Sequence, residues 1–439
     1  MRKKLLTLMA VAAVALTTNA GGLMTNTNYH VAFDRMMARG ASTEIDAAYS
    51  NPAGLAWGYD GFQLSLDFQK PWQNRDIENG GVTYNGKASA PIVPALFASY
   101  KKDRWAVSTM IGIVGSGGYV KYDNGVPMFS AMLAGLLGAN GITPDQYTLD
   151  SKMEGKQYIF GGQLNLTYKI ADFLSAAVGF RANYYDGFYR GHVIADNHPM
   201  LGQLAALELD VDQKGWGFAP IVGLNYHQGP LTVAARYEFR TKIETENTTN
   251  NLNAGLGQGL QKVMMATPDG GVKLQTISQT IGSYITPYAD GVKTRYDMPA
   301  LLSLAVGYEL TPSLRATAEY HFFDDKSAKM SGDRQDELTS GTHEFLLGAE
   351  YDINDKFTVS LGGQRTDYGL SDGYQQDTSF ACDSYSIGLG GAYNVNEKIR
   401  LNVGYFVTIY SDYTKASSYG QETFSRTNNV IGAGIDIKF

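Results

Sequence analysis

From residue 61 to the C-terminus the chain repeats one pattern: runs in which apolar and polar residues alternate strictly, separated by gaps that are by turns long and very short. Alternation of period two marks a strand with two unlike faces. Its clearest instance is Ile399, Leu401, Val403, Tyr405, Val407 and Ile409, interleaved with Lys398, Arg400, Asn402, Gly404, Phe406 and Thr408. The runs from Leu314 to Phe322 and from Leu231 to Phe239 repeat it. A soluble sandwich alternates too, so the gaps carry the decision. The pattern predicts fourteen strands, at about 61–70, 94–101, 104–114, 157–171, 173–190, 215–228, 230–245, 299–310, 313–326, 341–353, 356–369, 382–395, 398–410 and 425–439. Between them long loops such as 71–93 and 115–156 alternate with tight turns such as 102–103 and 172. An even strand count with short turns at one end and long loops at the other is the plan of an outer-membrane barrel.

Composition excludes the competing classes. Charged residues make up 18% of the chain, against ~25% in ordinary soluble domains. No apolar run reaches the ~18 residues that a membrane-spanning helix needs, so a helical membrane protein is excluded. A net charge of −7 without a Lys/Arg cluster excludes a nucleic-acid partner. Arg2, Lys3 and Lys4, the apolar run Leu5 to Leu16 and the small residues Thr18-Asn19-Ala20 make residues 1–20 a cleaved export signal. With Cys382 as its one cysteine, an exported chain has no internal disulfide and depends on a large cooperative structure.

Aromatic residues sharpen the reading. Tyr100, Tyr168, Tyr226, Tyr308, Tyr351 and Tyr393 each precede a tight turn on the apolar face, and Trp105, Phe173, Leu231, Leu314, Phe357 and Ile399 answer them just after it. Rings gathered at one level are what an interfacial girdle requires. The last strand carries Ile431, Ala433, Ile435, Ile437 and the terminal Phe439 on one face. Such an ending resembles the signal read by barrel-insertion machinery in diderm bacteria, which is thus an expected partner. The expected location is the outer membrane.

Residues 21–60 show no alternation, and irregular backbone cannot face lipid. They are expected in the periplasm or inside the barrel. Here Arg39-Gly40-Ala41, Asp46-Ala47 and above all Asn51-Pro52-Ala53-Gly54-Leu55 resemble the N-terminal hatch of the FadL/TodX family of outer-membrane transporters for long-chain fatty acids and other hydrophobic compounds. Met298-Pro299, Gly307-Tyr308 with Pro312, and the run Ser386 to Gly390 continuing to Tyr405 extend the resemblance. It departs at Val114-Gly115-Ser116-Gly117-Gly118, where the family often has Pro-Phe-Gly, and around Thr366 to Gly369, which lacks a usual proline. The resemblance implies an all-β chain: a 14-stranded antiparallel transmembrane barrel over 61–439 with a lumenal plug over 21–60. It implies passive uptake of hydrophobic small molecules, with outer-membrane lipid and detergent-like molecules as companions and no cofactor. The alternative reading is a structural or porin-like barrel.

Candidate site residues follow. Asn51, Pro52 and Ala53 form the hatch motif, expected to touch the third strand. Gly112, Gly115, Gly117 and Gly118 weaken the end of that strand and permit a lateral opening, as the family implies, or else form a flexible loop entrance. Phe129, Met132, Leu133 and Leu136, with Met200, Leu204 and Leu207 at helical spacing, make apolar loops that cap the barrel or receive ligand. Among inward-facing charges, Arg181 and Arg236 are candidates for a ligand carboxylate if one of them is unpaired. The six histidines show no metal spacing and H-E-x-x-H is absent, so an enzyme is not expected. A monomer is expected.

Overall fold

The computed structural model describes residues 29–90 and 92–439; the export signal and residues 21–28 lie outside the described residues. One antiparallel sheet closes on itself. We number its strands β1 (Gly61–Asn79), β2 (Val82–Ser89 and Val93–Lys102), β3 (Trp105–Tyr122), β4 (Thr148–Ala171), β5 (Leu174–Asp196), β6 (Ala205–Gln228), β7 (Leu231–Glu238 and Glu244–Leu256), β8 (Lys293–Arg295 and Leu301–Thr311), β9 (Leu314–Phe323), β10 (Thr342–Asp352), β11 (Phe357–Asp367), β12 (Ser384–Asn394), β13 (Ile399–Tyr410 and Tyr413–Ser417) and β14 (Gly420–Lys438). Four strands are interrupted; both halves of β2 and of β7 keep the same two neighbours, whereas Lys293–Arg295 pairs only with β7 and Tyr413–Ser417 only with β14, and β1 pairs with β14 from Gln63↔Lys438 to Asn79↔Glu422 to close the barrel.

The outer face explains why the chain alternates. On β6, Trp216, Phe218, Val222 and Leu224 are exposed, while the intervening Gly217, Ala219, Ile221 and Asn225 are buried. An apolar exterior over the ten residue steps from Phe62 to Trp72 corresponds to about 25 Å of tilted strand, the height of a membrane band. The turn-end girdle is present: Trp105 lies 4.4 Å from Tyr168, Phe173 5.8 Å from Tyr226, and Phe357 4.8 Å from Tyr393 between ring centroids.

The wall is uneven in height. β4 and β6 are 24 residues long, whereas β9 has 10. The expected loop 71–93 is instead largely strand, with β1 turning into β2 at Gly80-Gly81, both at positive φ. β3 likewise runs on to Tyr122 and β5 to Asp196. The reason is a change of phase at the membrane edge. Below it the apolar residues of β5 point outward (Val178, Phe180); above it they point inward (Tyr189, Val193, Ala195), because water now lies outside and a packed vestibule inside. Three helices fill that vestibule: α3 (Pro127–Gly138), α4 (Gln258–Met265) and α5 (Gly270–Ile285), numbered after two short lumenal helices, α1 (Val31–Met36) and α2 (Ala47–Ser50).

Candidate functional site

Residues 29–60 lie against the inner wall, and nearly all of 30–56 are buried. Helix α1 rests in a groove made by glycine. A Cβ added at Gly348 would come within 2.3 Å of the Met36 carbonyl oxygen, at Gly362 within 1.9 Å of it, at Gly388 within 2.4 Å of the Asp34 carbonyl oxygen, and at Gly432 within 2.2 Å of Asp34 Oδ2. The strands β10, β11, β12 and β14 thus leave out side chains where the helix backbone must approach. His30 caps α1: its Nδ1 accepts from Ala32 N–H at 3.1 Å, and its Nε2 stands 3.2 Å from Asp436 Oδ1. Asp67 comes within reach of the same point. With Nδ1 accepting from the backbone, Nε2 is the donor toward carboxylate, which makes this a hydrogen-bonded clasp.

Beyond α1 a charge network takes over. Arg39 reaches Asp46 and Glu44, each at 2.7 Å, and Glu44 is shared with Arg400 at 2.7 Å. Glu350 receives Arg35, and Arg315 at 2.9 Å. The backbone N–H groups of Arg39 and Gly40 both donate to Glu319 Oε2 at 2.8 Å. A side chain at residue 40 would meet Glu319 Oε1 at 2.5 Å, which accounts for the Arg-Gly pair in the sequence. Burial alone would raise the Glu44 pKa; the guanidiniums of Arg400 and Arg39 reverse this and hold the carboxyl well below the usual range.

The Asn-Pro-Ala turn is held differently. Asn51 Oδ1 accepts from Ala53 N–H at 3.3 Å and its Nδ2 donates to Leu224 O of β6 at 3.0 Å. Thr167 of β4 donates to Pro52 O at 2.8 Å, and Ser175 of β5 to Ala53 O at 2.7 Å. The hydrogen bonds of the motif therefore go to β4, β5 and β6 and not to the third strand.

What the hatch shows to β2 and β3 is apolar. Ile45, Ala48, Tyr49 and Leu55 pack in one cluster with Phe97, Met110 and Val114. At this level the wall is incomplete. Among the described residues, the β2–β3 ladder stops at Ala95↔Gly112 and resumes only at Ser89↔Tyr119. The glycines expected in a loop remain in strand β3, which keeps its ladder to β4 through two bulges, between Ile113 and Gly115 and between Ser116 and Gly118. Gly118 is at φ +72°, the conformation that a non-glycine residue resists. Ala90, Val93 and Ile113 pack together across the interruption, with Tyr29 and Tyr158 alongside. Lys70 Nζ of β1 donates to Ala90 O at 3.0 Å, satisfying one carbonyl that the missing ladder frees.

Above the membrane band, an apolar cleft opens in the vestibule. Met153, Val193, Leu207, Leu209 and Leu252 of the tall strands line it, with Phe129 of α3, Ile285 of α5 and Tyr288; Lys152, Arg190 and His192 border it. Of the expected platform residues, Phe129 and Leu207 line this cleft. Leu133, Leu136 and Leu204 pack together with Leu260 and Met264, sealing the helices onto the wall, and Met200 is 87% exposed. Met200 to Leu207 form no helix; a turn ends there and Leu207 is already in β6. The other strand residues of the cleft escaped the sequence reading because they follow the inverted phase above the membrane.

Arg181 and Arg236 are both buried, and neither is wholly unpaired: they converge on Glu238, and both guanidiniums stand over the Tyr49 ring, at 5.5 and 5.1 Å. Two cations share one carboxylate, and Arg236 Nε and Nη1 have no hydrogen-bond partner. One further motif stands outside this picture. Gly369-Leu370-Ser371-Asp372-Gly373 matches a serine-nucleophile pattern, but it lies in the β11–β12 loop, and Ser371 Oγ donates to Glu337 O. The strand-to-helix turn that such a nucleophile needs is missing there.

Comparisons with known proteins agree with this architecture. A model described as an outer membrane protein beta-barrel domain matches residues 265–439. Among curated proteins no sequence match is found. Among solved structures, a Pseudomonas aeruginosa FadL homologue is similar at a TM-score of 0.66 and 14% identity, over 95% of this chain and 100% of that one. The P. putida toluene transporter TodX is similar at a TM-score of 0.59 and 12% identity, over 96% and 99%. The Ralstonia pickettii toluene transporter TbuX gives 0.53 and 16%, over 90% and 94%. At these identities the likeness is one of fold: a complete fourteen-stranded barrel of the outer-membrane type, as the hatch motif and strand count led us to expect.

Proposed function

We propose that the protein takes up hydrophobic small molecules through the outer membrane by passive transport. The observation that carries this reading is the apolar cleft at the loop end, because water-filled porins have no use for one. The printed descriptions of the similar structures, a FadL homologue and two toluene transporters, point the same way. In this reading the hatch closes the lumen to water. Ligand passes from the cleft toward the apolar surface of Ile45, Tyr49 and Val114 and leaves sideways at the β2–β3 interruption. Each methylene is worth ~0.8 kcal/mol in an apolar setting, so release into lipid costs far less than release into the periplasm. The excess positive charge at Arg181, Arg236 and Glu238 serves a head group along this path.

Proteoliposomes loaded with protein and offered oleate or a small sugar separate the readings. We expect oleate to enter and the sugar to stay out. Equal entry of both would identify an open pore, and entry of neither would identify a structural barrel.

A further inference from the structure

Helix α3 brings Phe129 to the cleft and packs Leu133 and Leu137 against the tall wall, so its position decides whether the cleft is covered. Its N-terminus has no cap of its own. Val126 at the N-cap position offers no side-chain oxygen, Pro127 has no N–H, and the first turn carries no acid. The backbone N–H of Met128 is held from another part of the chain, by Asp377 Oδ2 of the β11–β12 loop at 2.6 Å. A carboxylate that accepts from the first turn of a helix does the work of the missing cap.

Asp377 is 1% exposed, yet its Oδ1 accepts no hydrogen bond. It faces Glu422 of β14, the two carboxyls being in direct contact. Glu422 is fully buried, and its own oxygens likewise accept no hydrogen bond. Lys415 Nζ of β13 stands 3.7 Å from Glu422 Oε2 while donating to Gln375 O at 2.6 Å. The phenols of Tyr419, at the β13–β14 turn, and of Tyr122 on β3 complete the surroundings. Among the described residues, one cation thus faces two buried carboxyls. Two carboxylates in contact cannot both be ionised in such a place, and a single proton completes it. Carried on Asp377 Oδ1, the proton is donated to Glu422, whose charge Lys415 balances, and Oδ2 still accepts from Met128. Burial and the neighbouring Glu422 hold the Asp377 carboxyl well above the usual carboxylate range, as this arrangement requires.

We propose that a proton shared by Asp377 and Glu422 latches α3 over the cleft, and that its loss as pH rises releases the helix and uncovers the cleft to hydrophobic ligand. A carboxyl that binds its proton more tightly in the folded state stabilises the closed form at low pH. That contribution disappears as pH rises through the folded-state value. With both groups ionised, their repulsion parts the β11–β12 loop from β14, and the loop takes the cap of α3 with it. The latch stands on these contacts alone; the gating of ligand entry rests on the hydrophobic-uptake reading.

The test is hydrogen exchange of the α3 amides in the full protein in nanodiscs, from mildly acidic to mildly alkaline pH, corrected for intrinsic exchange rates. We expect wild-type protection to fall about tenfold or more as pH rises, the scale of one pKa unit of coupling. D377N, whose amide donates to Glu422 and whose oxygen still accepts from Met128, should stay protected at every pH. D377A should be unprotected at every pH. Unchanged protection of membrane-band strands such as β6 in all three proteins shows that the barrel is folded. Wild-type protection that follows pH no more than that of D377N, or full protection in D377A, would overturn the latch. So would protection lost on adding EDTA at neutral pH, which would put a bridging metal ion in place of the proton. Binding of methyl oleate, which does not titrate, should be faster at alkaline pH in the wild type and independent of pH in D377N. A pH response of α3 without methyl oleate binding at any pH would leave the latch standing and overturn the uptake reading.

Discussion

The two ends of the hatch are fastened to the barrel by opposite means. The α1 end sits in a groove of glycines on β10 to β14 and is followed by a network in which arginines and carboxylates neutralise one another. The Asn-Pro-Ala end is tied to β4, β5 and β6 by neutral amide and hydroxyl hydrogen bonds. Between these anchors, the hatch meets β2 and β3 through the apolar side chains of Ile45, Ala48 and Tyr49, with polar contacts to β2 only from His30 and Asp60 near its two ends, and there the wall loses its ladder. Buried charges demand their partners and so fix one geometry. Apolar surfaces slide at little cost. The difference therefore locates rigidity where the hatch must stay and adaptability where a ligand is to pass.

Predictions that break this comparison run from the charged anchor to the apolar face. Replacing Arg39 by Met leaves the buried Asp46 without an ion-pair partner and Glu44 with Arg400 alone, and should cost about 3–5 kcal/mol, read as a lower denaturant midpoint and a raised single-channel conductance as the hatch loosens. Gly362→Val drives a side chain into the Met36 carbonyl and should cost about 1–3 kcal/mol by overpacking. Gly363→Ala, where the nearest atom is 3.6 Å away, is the silent comparison for that measurement. Asn51→Ala should cost about 1 kcal/mol and raise conductance less than the Arg39 variant. An Asn51 variant that opens the pore more than the Arg39 variant would reverse the assignment of the two anchors. Phe129→Ser should weaken hydrophobic-ligand binding several-fold while leaving the unfolding midpoint in place, since Phe129 lines the cleft but makes no anchor.

Much of this was legible in the sequence. The fourteen strands, their parity and the girdle follow from alternation, because inside a membrane every strand obeys the same rule of apolar outside. Above the membrane the rule inverts, so Leu207, Leu209 and Val211 of β6 or Ile77 of β1 read as loop although they are strand. The glycines of β3 were recognisable as a weak point. That the break lies on the β2 side, while the β4 side keeps its ladder, depends on partners that no local pattern names. The pairing of Arg181 and Arg236 through Glu238, and the choice of β4 to β6 by the hatch motif, are likewise long-range facts.

The central proposal is that ligand leaves through the β2–β3 interruption, across which Ala90, Val93 and Ile113 pack together. Ala95 and Gly112 are the last paired residues below it, so a disulfide between A95C and G112C, in a C382S background, stops the strands from parting further. Oleate uptake into proteoliposomes should collapse in the oxidised protein and return on reduction, while ligand binding at the outer cleft persists throughout. Undiminished uptake by protein verified as cross-linked would contradict the lateral route and place the path straight down past the hatch.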